Sequence, residues 1–247
     1  MPVDPLENEI ALVTGGGRGI GRALALAFAN AGADVAVTAR TKSEIENVAA
    51  EIRDCGGRAV SVECDVTDYA NVERMVQAVT DSLGPVSLLV NNAGGGLERK
   101  PVGEDDPETW RKVIEINLLG TYHCIRAVLP GMKSRGGGKI INVGSGMGYQ
   151  PRPNNSSYNS AKAAVAMLTK CLSLELWESG IAVNELIPGP VYTQLTADIF
   201  QADQPHPAFA SEWVKQPEDV VPMAMFLATQ PERGPTGQTF SIARRPV

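Results

Sequence analysis

Apolar residues in this chain gather into short, nearly unbroken runs, separated by stretches in which they recur every three or four positions. The runs are Ile10–Thr14, Asp34–Ala39, Ala59–Glu63, Val86–Asn91, Lys139–Val143, Ala182–Leu186 and Thr239–Ile242. They are rich in Val, Ile and Ala and do not alternate strictly, which predicts strands covered on both faces. The periodic stretches predict helices over Gly19–Ala31, Ser43–Cys55, Asn71–Leu83, Pro107–Arg135 with a break near Leu118–Gly120, Ser157–Glu178 and Pro217–Ala228. This alternation predicts an α/β protein, a parallel sheet with helices on both faces. The Pro- and Gln-rich segment Thr193–Pro217 is the one long irregular stretch, expected as a substrate lid rather than a domain boundary. Residues 1–247 are expected to form a single domain.

Composition narrows the classes. An apolar share of 43% is too high for a disordered chain. No apolar run approaches the ~20 residues of a membrane helix. The opening MPVDPLENE is acidic and lacks the basic-then-apolar order of a secretion signal, so a cytoplasmic location and no membrane partner are expected. Lys and Arg number 22 against 28 Asp and Glu, a net charge of −6 that disfavours nucleic acid as a partner. Cys55, Cys64, Cys124 and Cys171 form no C-x-x-C pair and are expected as buried free thiols. His123 and His206 lack metal-ligand spacing, so no metal is expected. No G-x-S-x-G elbow supports a serine hydrolase.

Glycine is in excess, at 25 residues, and one cluster of it carries chemistry. Thr14-Gly15-Gly16-Gly17-Arg18-Gly19-Ile20-Gly21 joins the first strand to the first helix. Such glycines let the backbone approach a pyrophosphate, and the helix N-terminus offers N–H groups and a positive dipole end. No G-K-[ST] follows, which disfavours a P-loop. An NAD site places an acid at the end of the second strand, roughly 20 residues on, against the ribose hydroxyls. Here Ala39-Arg40-Thr41 holds that place. Arg40 is either a solvated strand-end arginine or a partner for a 2′-phosphate, with Arg18 as a second charge; the missing acid favours NADP(H).

The reactive groups lie in the second half. Tyr158 and Lys162 are four apart, hence on one helix face. A tyrosine with pKa ~10 is a poor proton donor and acceptor near neutrality. The Lys162 charge is expected to pull it toward the working range. Ser145 follows a predicted strand, at the sheet end where ligands sit, and its hydroxyl can orient a carbonyl oxygen.

In this order the motifs resemble those of the short-chain dehydrogenase/reductase family, over about Ile10 to Ile242. The resemblance implies a doubly wound Rossmann fold with a seven-stranded parallel sheet. The family's T-G-x-x-x-G-x-G is Thr14 to Gly21, bringing Gly15, Gly17, Arg18, Gly19, Ile20 and Gly21 to the cofactor, with Arg40 and Thr41. Its Asp-Val motif is Asp65-Val66, the aspartate expected to accept from the adenine amine. Its N-N-A-G motif is Asn91 to Gly94, with Asn91, Ala93 and Gly94 beside the adenine ribose. Asn117, with Gly120, matches N-x-x-G, where a kink frees a carbonyl for a water between Asn117 and Lys162. Asn117, Ser145, Tyr158 and Lys162 match the catalytic set, and Tyr158 and Lys162 also meet the cofactor. Pro188-Gly189, Val191 and Thr193 match the nicotinamide loop. The implied reaction moves a hydride between nicotinamide and a ketone or secondary alcohol.

The pattern is nearest that of 3-oxoacyl-[acyl-carrier-protein] reductases, which implies a homotetramer or homodimer. Lys133, Arg135 and Lys139, on the approach to Ser145, are candidates to meet an acidic carrier protein. Two departures weigh against an acyl thioester substrate. Trp177-Glu178-Ser179 carries no basic residue, and Ser241-Ile242-Ala243-Arg244-Arg245 replaces the usual tail, which also puts the tetramer in doubt. Expected substrate-lining positions are Gly95, Gly96, Ser145, Met147, Gln150, Tyr192 and Leu195. Three readings remain: an NADPH-dependent carbonyl reductase, an NAD-linked dehydrogenase or dehydratase/epimerase variant, and a non-catalytic dinucleotide sensor.

Overall fold

The computed structural model describes residues 4–96, 98–206, 209–231 and 233–245, with only the backbone at 209 and 210. Positions 207 and 208 of the expected lid lie outside the described residues, as do the ends of the expected 1–247 domain.

The apolar runs form seven strands: β1 (Ile10–Thr14), β2 (Asp34–Ala39), β3 (Ala59–Glu63), β4 (Leu88–Asn91), β5 (Gly138–Val143), β6 (Ile181–Ile187) and, after a separate hairpin, β9 (Thr239–Ser241). They pair in the order β3-β2-β1-β4-β5-β6-β9, all in parallel. The fold is thus the expected doubly wound Rossmann sheet. Its order reverses between β1 and β4, where Val13 lies beside Val37 on one side and Val90 on the other. Such a reversal opens a crevice at the carboxyl ends of the strands.

The runs are continuous in apolarity because both faces are buried. Ala11 and Val13 turn into one core layer with Leu24, Phe28, Ile45 and Leu227. Leu12 turns into the other, with Met75, Leu89, Ile125 and Met132. Each such large side chain contributes ~1.5–3 kcal/mol of burial.

The covering helices are α1 (Gly19–Asn30), α2 (Lys42–Asp54), α3 (Tyr69–Leu83), α4 (Pro107–Ile114), α5 (Gly120–Arg135), α6 (Ser156–Leu176) and α7 (Val221–Ala228). Local chemistry sets their ends. Asp68 caps α3 by accepting from the Asn71 amide at 3.2 Å. Asp106 caps α4 ahead of Pro107 at its first turn. The break expected near Leu118–Gly120 is a π-helical turn over Glu115–Leu119, closed by the Gly120 amide donating to the Glu115 carbonyl.

Two features depart from expectation. The segment read as irregular contains a small antiparallel hairpin, β7 (Pro205–His206) and β8 (Phe209–Trp213). It is too short to register as a periodic run. Cys64 and Cys124 are buried, but Cys55, at the end of α2, and Cys171, on the outer face of α6, are exposed. All four thiols are free. No described helix is long and apolar enough to cross a membrane.

Candidate active site

Loops at the carboxyl ends of β1, β2, β4, β5 and β6 converge on one cavity of about 590 Å3. The glycine turn after β1 is pinned from β4: Asn92 Nδ2 donates to the carbonyls of Thr14 (3.0 Å) and Gly15 (3.1 Å). The Thr14 hydroxyl accepts from the amides of Asn92 and Ala93, both at 3.0 Å. Gly15 and Gly19 have φ of 62° and 53°, the left-handed region that glycine enters without strain. α1 starts at Gly19 with no side-chain cap from Arg18 and no acid in its first turn. An uncapped helix start beside a turn in which glycines leave the backbone open is a cradle for a phosphate, so the residues present fit a dinucleotide.

Most residues expected to hold a cofactor line the cavity: Gly15, Gly17, Arg18, Gly19, Ile20, Arg40, Thr41, Asp65, Val66, Ala93, Gly94, Tyr158, Lys162, Pro188, Gly189, Val191 and Thr193. Gly21 and Asn91 are not among the lining residues. A Cβ on Gly21 would overlap the Gly15 carbonyl oxygen, so this glycine lets α1 start close under the turn. Asn91 is buried in the sheet and donates to Asn142 Oδ1 at 2.9 Å; the neighbouring Asn92 reaches the turn.

The cationic pair expected at the 2′-position is divided. Arg40 is exposed at the cavity edge and makes no ion pair among the described residues. Arg18 instead meets Glu44 at 3.5 Å and Gln194 at 2.9 Å. Glu44 was not singled out in the sequence, yet it lines the cavity, and a Cβ on Gly17 would come within 2.8 Å of its Cβ. Its position in the first turn of α2, four residues after Arg40, was the available signal.

Ser145 caps a short turn by accepting from the Met147 amide at 3.2 Å, and its hydroxyl is hydrogen-bonded to Tyr158. Lys162 Nζ donates to the Val143 carbonyl at 2.8 Å and lies 5.7 Å from the Tyr158 ring centre. The expected lowering of the Tyr158 pKa by Lys162 is not seen. Burial pushes the phenol up, and the Ser145 hydrogen bond opposes it. Lys162 is turned to Val143, and burial lowers its own ammonium to about 8, against a partly compensating attraction from Glu185.

Asn117 is fully buried and does not line the cavity. Its side chain donates to the Gly95 carbonyl at 2.8 Å and accepts from the Gly95 amide at 3.1 Å. A Cβ on Gly94 would lie 2.5 Å from Asn117 Oδ1 and 3.7 Å from Lys162 Nζ, so this glycine separates the two. The Asn117 carbonyl accepts from the Thr121 hydroxyl at 2.8 Å.

Gly95, Gly96, Met147 and Leu195 line the cavity beside Ser145; Gln150 and Tyr192 do not. Lys133, Arg135 and Lys139 are not on the approach to Ser145. Lys139 stands near the start of β5 and Ser145 beyond its end, and Arg135 and Lys139 meet Glu9 at 3.3 and 3.4 Å. Besides Glu44, four charged residues and a histidine not assigned to the site from the sequence line the cavity: Arg99, Arg152, Glu212, Arg245 and His206. The unusual tail was the signal for Arg245; no motif spacing marked the others.

The comparisons agree with this geometry. Residues 9–204 match the short chain dehydrogenase family. The chain is 36% identical to a 3-oxoacyl-[acyl-carrier-protein] reductase of Synechocystis sp., over 96% of each chain. It superposes with a TM-score of 0.90 on a short-chain type dehydrogenase/reductase from Mycobacterium marinum, 32% identical, over 98% of this chain and 96% of that one. A gluconate 5-dehydrogenase from Burkholderia cenocepacia, in complex with NADP and tartrate, is 31% identical with a TM-score of 0.89, over 98% of this chain and 96% of that one. Fold, motif order and these likenesses together make the chain a member of the short-chain dehydrogenase/reductase family, oxidoreductases acting on CH–OH and C=O groups.

Proposed function

We propose that the protein is an NADP(H)-dependent reductase of small ketones, running in reverse as an alcohol dehydrogenase. The observation that carries this reading is the Ser145–Tyr158–Lys162 cluster on the wall of a dinucleotide-sized cavity. A sensor would have no use for a half-buried phenol beside a strand-end serine.

When bound, the nicotinamide supplies or accepts the hydride. The protein's residues manage the oxygen and its proton. Ser145 donates a hydrogen bond to the carbonyl oxygen as negative charge grows there. Tyr158 delivers the proton, and burial favours its neutral form, which is the proton-bearing form reduction needs. Lys162, which lines the cavity near the phenol, would hold the cofactor ribose. Asn117 fixes Gly95, keeping the β4 loop closed around the site. The 193–217 segment acts as lid, with Gln194 tied to Arg18 across the cavity mouth.

Arg40 supports NADP(H), and the related gluconate 5-dehydrogenase is in complex with NADP. Glu44 supports a second reading, NAD(H), because a carboxylate near the glycine turn can accept from ribose hydroxyls. Its pairing with Arg18 leaves NADP(H) favoured. A carrier-protein thioester is disfavoured, since the basic residues meant for it lie at the other end of β5. NADPH consumption over a panel of oxo acids, diketones, sugar ketones and β-keto thioesters tests the reading. Turnover with a ketone at least about tenfold better with NADPH than NADH is expected; no consumption with any of them contradicts it.

A further inference from the structure

Glu185, outside the catalytic set, is a fully buried acid near the end of β6. It belongs to a polar row across four strands. Asn91 of β4 pairs with Asn142 of β5, Asn142 with Glu185, and Glu185 with Thr239 of β9. Paired residues of parallel strands turn to the same face of the sheet. That face is covered by α6, because Asn142 Nδ2 donates to Thr169 Oγ1 at 2.9 Å. The same helix carries Tyr158 and Lys162.

The Glu185 carboxylate spans the loop that presents Ser145. At the far end of that loop, Oε2 accepts from the Tyr149 hydroxyl at 2.5 Å, and it also accepts from Thr239 Oγ1 at 2.9 Å. At the near end, a Cβ on Gly144 would fall on Oε1. Lys162 reaches the same place from α6, its Nζ donating to the Val143 carbonyl at 2.8 Å. Ammonium and carboxylate thus approach one peptide unit, Val143–Gly144, the first at its carbonyl and the second at its Cα. In the interior a neighbouring charge counts for more than in water. Burial lowers Lys162 and raises Glu185, and in each case the attraction of the other opposes the burial. The Tyr149 and Thr239 hydroxyls and exposed Lys170 of α6 also favour the ionised carboxyl. Burial first, and then Glu185, push the Tyr149 phenol up to about 12, so it stays a donor. Tyr158 is the other titratable group beside Lys162, its ring centre 5.7 Å from Nζ.

We propose that Glu185 is a positioning residue for the reduction, the buried counter-charge that keeps Lys162 an ammonium at working pH. Only the ammonium lends positive charge to Tyr158 as the phenol gives up its proton. Oε1, the oxygen at the Val143–Gly144 peptide, has no hydrogen-bond partner among the described residues, so no donor there offsets its charge. A side chain placed for packing alone would be replaceable by its amide. The catalytic consequence rests on the ketone reductase reading above; the pairing of the two charges does not.

Two measurements separate the two claims. The first is carbon-13 NMR of the full chain labelled at lysine Cε, with Lys162→Met to assign the resonance. In Glu185→Gln the Lys162 midpoint is expected to fall by about 1 pH unit or more, a tenfold or greater loss of proton affinity. Glu185→Asp keeps the charge but draws it back from Tyr149, Thr239 and Gly144, and is expected to stay nearer wild type than Glu185→Gln. A packing role predicts the reverse order, because glutamine keeps the shape and aspartate does not. That reverse order, or a midpoint unmoved in Glu185→Gln, overturns the proposal. Should neither variant fold, the wild-type protein decides: the Lys162 resonance is expected to move a second time at acidic pH, as Glu185 takes up a proton, and a single step overturns the proposal. The second measurement is the pH profile of kcat with a ketone that the wild-type protein turns over. Its alkaline limb is expected at lower pH in Glu185→Gln, by the same amount as the midpoint, and nearer wild type in Glu185→Asp. An unmoved limb beside a lowered midpoint overturns the positioning role. Absence of wild-type turnover overturns the reductase reading, and the Lys162 midpoint still decides the pairing.

Discussion

The Glu185 carboxylate occupies the space where a side chain on Gly144 would begin. Glu185 lies fully buried on β6, its Oε2 accepting from the Tyr149 hydroxyl at 2.5 Å and from Thr239 Oγ1 at 2.9 Å. Its Oε1 points at the β5 exit and has no hydrogen-bond partner among the described residues. The step from β5 into Ser145 is therefore open only to glycine. Gly144→Ala is expected to cost about 1–3 kcal/mol by urea unfolding, as overpacking does. Removing the carboxylate relieves the overlap, so Gly144→Ala/Glu185→Ala should lose less than the sum of the single changes. Strict additivity would show that the two residues do not meet.

Lys162 makes the stability of the cofactor-free protein depend on alkaline pH. Its ammonium titrates near 10.5 when unfolded and at about 8 when folded, lowered by burial. Between those values the unfolded chain binds a proton that the folded protein does not. Relative to Lys162→Met, stability should therefore rise as pH climbs from 8 to 10.5, by on the order of 3 kcal/mol, and stay flat below 8. Denaturant melts of both proteins across that range check the sign. Parallel curves would place the lysine in water rather than against Val143.

Cofactor choice should follow Arg40. Arg40→Ala is expected to weaken NADPH about 10- to 100-fold, the worth of a charged hydrogen bond, with NADH nearly unchanged. Glu44→Gln frees Arg18 from its ion pair and should strengthen NADPH modestly. Fluorescence titration with both nucleotides reads the two effects separately.

Thiol labelling tests the packing of the second core layer. Cys124 is deeply buried, and burial pushes Cys64 up to about 11, helped by Asp65 and Asp68. At pH 8 iodoacetamide should modify Cys55 and Cys171 in the folded protein and all four thiols in denaturant. Peptide mass mapping reads this directly.

Much of the fold was legible because a two-sided parallel sheet writes itself as unbroken apolar runs. Six of the seven strands lie within one residue of expectation at both ends, and only β4 begins two residues late. Residues that act through backbone geometry were also legible, since glycine turns and helix spacing are local signals. What could not be read were contacts between distant segments. Arg152, Glu212 and Arg245 meet only when hairpin, tail and α6 loop fold together. Cys55 and Cys171 needed the helix faces. Lys133, Arg135 and Lys139 were misplaced for the same reason, because nearness in sequence to Ser145 hid a whole strand length between them, ~20 Å for six residues. The direction of the Tyr158 pKa turned on how deeply the phenol is buried, which spacing does not encode.

The central claim is that Tyr158 is the group that gives the ketone oxygen its proton. Steady-state NADPH oxidation by Tyr158→Phe, with nucleotide binding measured in parallel by fluorescence, tests it most directly. The expected result is a kcat lower by about 100- to 10,000-fold with NADPH affinity within a few-fold of wild type. Turnover near the wild-type value would contradict it.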